Sequence, residues 1–191
     1  MDMLRSDGVF VYPLTEPFRL GKIRNALEGH EIQGLSLEEH FPHLLMTILE
    51  ALTPSKTLLL YNRPRPFFCH PITRDYDYVL LHFKLTFEEL ISLNSKRIKT
   101  FLSGVNFNLF MKKWMEGWNP RFKSLEIKAG FREFDEEAVM RGIEYFDFSE
   151  LKARKSSEKK FKIKNDDGIT ATVSWSTNDL GQFDAQFSVD A

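Results

Sequence analysis

Cysteine occurs once in the 191 residues, at Cys69. That excludes an internal disulfide framework and any zinc site built on paired thiolates. No uninterrupted apolar run approaches the ~18 residues a membrane-crossing helix needs, and the first thirty residues carry no signal-peptide pattern. There is no Asn-x-Ser/Thr glycosylation sequon, phosphate-cradling Gly loop, nucleophile elbow or dinucleotide fingerprint. The remaining expectation is an intracellular protein, cytoplasmic or nuclear, with no membrane contact, no cofactor and no catalytic centre. A net charge of −1 supplies no long-range field toward phosphate.

Aromatic residues are what the chain has in quantity. Eighteen Phe, five Tyr and three Trp supply large apolar anchors, which excludes disorder for most of the chain. A chain of this length buries roughly 70% of the surface its unfolded form exposes. Charge is uneven: residues 95–165 hold 17 basic and 10 acidic groups, whereas residues 166–191 hold five Asp and no Lys or Arg. The basic middle invites a nucleic-acid reading, but solvated Lys and Arg on helix and edge-strand faces account for it better.

Residues 1–34 are poorly readable. From 35 to 150 a βα rhythm appears. Leu35-Ser36-Leu37 is a short apolar patch, and Pro42 opens a helix with Leu44, Leu45, Ile48, Leu49 and Leu52 on one face. Residues 57–61 and 78–83 read as strands buried on both faces, separated by a Pro-rich loop over 62–76. Thr86-Phe87-Glu88-Glu89 is a capping box, with Asn94 as a left-handed stop for its helix. Residues 98–102 form a third long strand. Asn106 is the expected cap of a helix carrying Phe107, Phe110, Met111, Trp114 and Trp118. Residues 122–128 alternate as a further strand, and Asp135-Glu136-Glu137 opens a short helix. Apolar strand centres near 36, 59, 81, 100 and 125 fit degenerate leucine-rich-repeat-like layers, and an ordinary open βα sheet fits almost as well.

Over 151–191 the period changes to two. Lys160, Lys162 and Lys164 alternate with Phe161 and Ile163. Asp167-Gly168 marks a hairpin, Ile169, Ala171, Val173 and Trp175 share a face, and residues 183–189 alternate again. The expected result is a three-stranded antiparallel meander closing the βα layers, its first strand a Lys-protected edge. Residues 150–158 form the expected connection.

Candidate chemistry is sparse. His40 and His43 stand at a metal-ligand spacing without a third ligand. Cys69 and His70 are adjacent in sequence, which supplies neither a lowered thiol pKa nor a placed base. Asp75-Tyr76-Asp77 is a three-residue match that arises by chance in most chains. Glu88 and Glu89 already have capping roles. The Lys/Arg cluster at 152–164 offers one aromatic, Phe161, as a stacking platform for single-stranded nucleic acid. An enzyme would have to rest on Asp75, Asp77, Cys69 and His70 alone.

Four stretches together resemble the type-2 F-box-associated domain of nematode F-box proteins. The most specific is Trp114-Met115-Glu116-Gly117-Trp118-Asn119-Pro120-Arg121, followed by a strand carrying Leu125 and Ile127. Leu93-Asn94-Ser95-Lys96, the 137–143 segment ending in Arg141-Gly142-Ile143, and the 161–173 hairpin match in order. The resemblance covers about residues 79–189. It implies a protein-interaction module that recognises the target of a cullin-type ubiquitin ligase, and implies that the target protein is the partner. No F-box is recognisable in the first fifty residues, so docking to the ligase adaptor is expected only if an F-box lies outside this chain. Nucleic-acid binding through 95–165 is the alternative. Trp114, Gly117, Asn119, Pro120, Arg121, Leu125 and Ile127 read as a helix-to-strand turn and its packing, mainly structural.

Overall fold

Alternation of apolar and polar residues along each strand makes one face greasy, and that face must be covered. The computed structural model describes residues 20–37, 42–65, 67, 70–129, 135–147, 159–177 and 183–190. In chain order it contains α1 (Leu20–Ala26), β1 (Gly34–Leu37), α2 (Pro42–Ala51), β2 (Thr57–Leu60), α3 (His70–Thr73), β3 (Tyr76–Lys84), α4 (Phe87–Ser92) and β4 (Ser95–Phe101). These are followed by α5 (Gly104–Met115), β5 (Ser124–Ala129), α6 (Glu136–Met140), β6 (Phe146–Asp147), β7 (Lys159–Lys164), β8 (Thr170–Thr177) and β9 (Phe183–Val189).

The nine strands among the described residues belong to one sheet in the order β1-β2-β3-β4-β5-β9-β8-β7-β6. The first five are parallel neighbours, and every later pairing is antiparallel. Parallel strands laid down in chain order, with crossovers of one hand, deliver their connecting helices to the same side. Burial agrees. Leu35, Leu58, Val79, Ile98, Leu125, Phe187, Val173 and Phe161 are register partners in a single row across eight strands. All eight are buried in one core with Leu45, Ile48 and Leu49 of α2, Leu90 of α4, Phe107, Phe110 and Trp114 of α5, and Val139 of α6.

The mixed α/β architecture and the antiparallel β7, β8 and β9 match the sequence reading, but β7 is not the sheet edge, because β6 pairs with it at Phe146 and Asp147, and several other details differ. β2 and β3 are buried on one face only: Leu58 and Leu60 are in the core while Leu59 is half-buried, and His82 is exposed. The 62–76 loop contains α3, and β3 begins at Tyr76, whose hydroxyl donates to the Pro71 carbonyl. α4 ends at Leu93 in extended backbone (φ −77°, ψ 120°), and Asn94 does not stop it in the left-handed region. Its Nδ2 donates to Asp75 instead. Ser103, not Asn106, caps α5: Ser103 Oγ accepts from the Asn106 amide at 3.3 Å. Asn106 Nδ2 reaches the Leu85 carbonyl at 3.3 Å. α1 and β6 had no clear signal, and Ile169 is 44% exposed outside β8 rather than on its inward face. The expected connection over 150–158 lies outside the described residues.

Candidate functional site

From β2 to β8 the outward side chains of the sheet face opposite the helices are half-buried or exposed, whereas at β1 the outward Ser36 is buried. Thr57, Tyr78, Arg97, Ser124, Ser188, Thr172 and Lys162 form one outward row by register, and Leu59, Leu80, Lys99, Glu126, Gln186, Ser174 and Lys160 form the next. Along these rows the chemistry changes. At β2 and β3 it is apolar and aromatic. The Tyr61 and His82 rings lie 5.5 Å apart, and His82 meets the edge of Phe101 at 5.1 Å. At β4 and β5 it is charged. Arg97 lies over the Tyr78 ring, 5.5 Å from its centroid, and Lys99 Nζ donates to Glu126 Oε2 at 2.7 Å. At β8 and β9 it is hydroxyl- and amide-bearing, through Ser174, Ser176 and Gln186.

The charged and polar parts border a shallow depression of about 360 Å³, lined by Lys99, Glu126, Lys128, Ser174, Ser176, Asp184 and Gln186 among others. Half-burial pushes the Tyr78 hydroxyl pKa up, so the ring stays neutral and remains a cation-accepting surface for Arg97. The hydrogen bond from Lys99 to Glu126 holds the Lys99 ammonium above its ordinary pKa, against partial desolvation. These outward side chains were missed in the sequence because β2 and β3 look apolar throughout. The signal was in β4, where Arg97 and Lys99 alternate with the buried Ile98 and Thr100.

The residues suspected of chemistry go elsewhere. Asp75 accepts from Arg121 Nη1 and Asn94 Nδ2. Asp77 accepts from Lys96 Nζ at 2.6 Å, and that bond holds its carboxyl below the usual range. Both carboxylates are thus engaged by cations or amides of this chain, tying the start of β3 to β4 and to the turn before β5. Glu89 completes the capping box with Thr86 (2.9 and 3.2 Å) and is also paired with Arg63. Phe161 is 2% exposed and stacks on Trp175 at 4.6 Å, so it offers no platform for a base. His40, Cys69 and the 152–158 part of the basic cluster lie outside the described residues, as do the surroundings of the His43 and His70 side chains. Among the described residues, no three His, Cys, Asp or Glu side chains come together as a metal site. No described helix is long and apolar enough to cross a membrane.

The Trp114–Ile127 stretch occupies the α5–β5 junction. Trp114 is buried and meets Phe187 edge-on at 5.0 Å. α5 ends at Met115, before Pro120, because Gly117 turns the chain at φ +87°, and Asn119 follows at φ +43°. Gly117 lacks a Cβ and adopts this region without penalty. Trp118 lies past the helix end. It still joins the same aromatic cluster, and its indole donates to the Ile91 carbonyl at 3.2 Å. Leu125 and Ile127 point into the core.

Comparison with known families agrees with part of the resemblance: residues 68–127, through β3, β4 and into β5, match the family described as F-box associated, whereas the 137–143 and 161–173 stretches lie outside the match. No curated protein and no solved structure matches the chain.

Proposed function

We propose that this chain is a protein-interaction module, without catalytic activity, that holds the target of an F-box-type ubiquitin ligase in the cytoplasm or nucleus. One observation carries the reading: the segment that matches the F-box associated family contains β3, β4 and the first four residues of β5, the strands whose outward side chains form the aromatic and charged centre of the open face. The parallel half is then a degenerate leucine-rich-repeat-like stack, its strands lining a recognition surface and its helices packed behind. Trp114, Gly117, Asn119, Pro120, Arg121, Leu125 and Ile127 build the support for that surface and do not touch the target. The burial of Trp114, Leu125 and Ile127, the positive φ of Gly117 and Asn119 and the pairing of Arg121 to Asp75 favour this assignment.

Contact with the ligase adaptor requires an F-box outside these residues. The test is crosslinking affinity purification with the tagged chain, followed by a reconstituted ubiquitination reaction in which the chain is fused behind an F-box. A reproducible protein partner that becomes ubiquitinated is the expected result. Recovery of no reproducible protein partner overturns the reading.

A further inference from the structure

Resting on that reading of the open face, we propose that its occupant is an extended polypeptide segment of about seven residues, with a bulky apolar side chain at one end and Asp or Glu in its middle. The length follows from geometry: from β2 to β8 the face spans five inter-strand spacings, roughly 24 Å, which about seven extended residues cover. Main-chain groups of these strands are engaged in the ladders, so the face offers no strand edge and recognition rests on side chains.

The apolar end is set by Leu59 and Leu80, with the Tyr61, His82 and Phe101 rings beside them. The acidic middle is set by unbalanced charge. Lys99 is neutralised by Glu126, whereas Arg97 and Lys128 are exposed and form no ion pair among the described residues. These two cations stand on neighbouring strands, with the Lys99–Glu126 pair in the row between them. A single carboxylate on the Lys99 side of that row lies between the two cations and on the side of β5 away from Asp184. Phosphate-rich nucleic acid fits less well. Glu126 and Asp184 interrupt the positive surface at strand spacing and would oppose a continuous line of phosphates.

The test selects a random phage-displayed peptide library on the full chain, then titrates a fluorescein-labelled winner by polarisation. The expected winners place Asp or Glu within a few positions of Leu, Phe or Trp. The double variant Arg97→Glu, Lys128→Glu is expected to weaken binding about tenfold or more. Leu80→Asp weakens it as well, whereas Lys113→Glu on the helical side leaves it unchanged. Unaltered circular dichroism shows that each variant still folds. Winners that are basic or lack acids, no enrichment, or unaffected binding by the double variant each overturn the proposal, as does an oligothymidylate probe that titrates the same face. The two readings fail separately. A cellular target that stays bound to the double variant sinks this inference and spares the ligase role. Acidic-apolar winners without any cellular target support the inference and remove that role.

Discussion

Phe110 stands where four other rings converge: Phe107 at 6.4 Å, Trp118 at 5.7 Å, Phe122 at 5.2 Å and Phe187 at 5.3 Å. It joins α5, the turn before β5, and β9 from the distant end of the chain. Phe110→Ala leaves a cavity that none of these elements can close alone, and we expect a loss of about 3–5 kcal/mol in urea unfolding. Val105 lies on the solvent side of the same helix, 60% exposed, so Val105→Ala is expected to stay within about 0.5 kcal/mol. Equal losses for the two variants would contradict the assignment of α5's inward face. Gly117 separates backbone from packing effects. A Cβ there meets only Asp167 Oδ2 at 3.7 Å, an ordinary contact. Gly117→Ala therefore reads the left-handed backbone almost alone, with an expected cost of about 1–2 kcal/mol seen as a lowered Tm.

Between elements, the residue after β9 acts as a clamp. Asp190 accepts from Thr170 Oγ1 and Thr172 Oγ1, both at 2.9 Å, and pairs with Lys162 Nζ at 2.9 Å, tying the end of β9 to β8 and β7. Partial desolvation pushes its pKa up, but the donors from Lys162, Thr172 and Thr170 outweigh it, and the carboxyl lies below its ordinary value. A depressed folded pKa means the clamp stabilises at neutral pH and is lost as pH falls through that folded value, below about pH 4. Asp190→Asn is expected to cost about 1–3 kcal/mol at pH 7. The gap to wild type should narrow progressively in unfolding curves taken at successively lower pH below about 4, and a gap independent of pH would count against the clamp. The meander that Asp190 fastens was legible in the sequence, since Phe161, Ile163, Ala171, Val173, Ala185 and Phe187 keep strict period two and Asp167-Gly168 announces the turn. The capping box at Thr86 was legible because its two hydrogen bonds are local. The short α3 and the true cap of α5 were not: four residues carry too little periodicity, and Ser103 and Asn106 are chemically interchangeable as caps. The open face was hidden for a different reason. Leu59 and Leu80 look like core until tertiary structure shows that the crossovers cover only one side.

At the scale of the molecule, the family-matched segment and the physical unit of folding do not coincide. Residues 68–127 contain β3, β4 and most of β5, with α3, α4 and α5. β3, however, pairs with β2 on its outer side, and β5 pairs with β9 along six residues from Ser124 to Ala129. Cut out alone, the segment would carry two open strand edges, and Leu125, Trp114 and Phe110 would lose Phe187 as their lid. Unpaired edges flanking an uncovered apolar face favour association over folding. We therefore expect a 68–127 fragment to aggregate or to lack a cooperative unfolding transition, whereas a 20–190 chain unfolds in one transition. Circular dichroism with urea titration, together with light scattering, distinguishes these outcomes. A monomeric 68–127 fragment with native-like cooperativity would show that β9 and its meander are an accessory to a self-sufficient parallel unit. The aromatic cluster argues the opposite, because Phe187 reaches across from the last strand to seal the core that α5 begins.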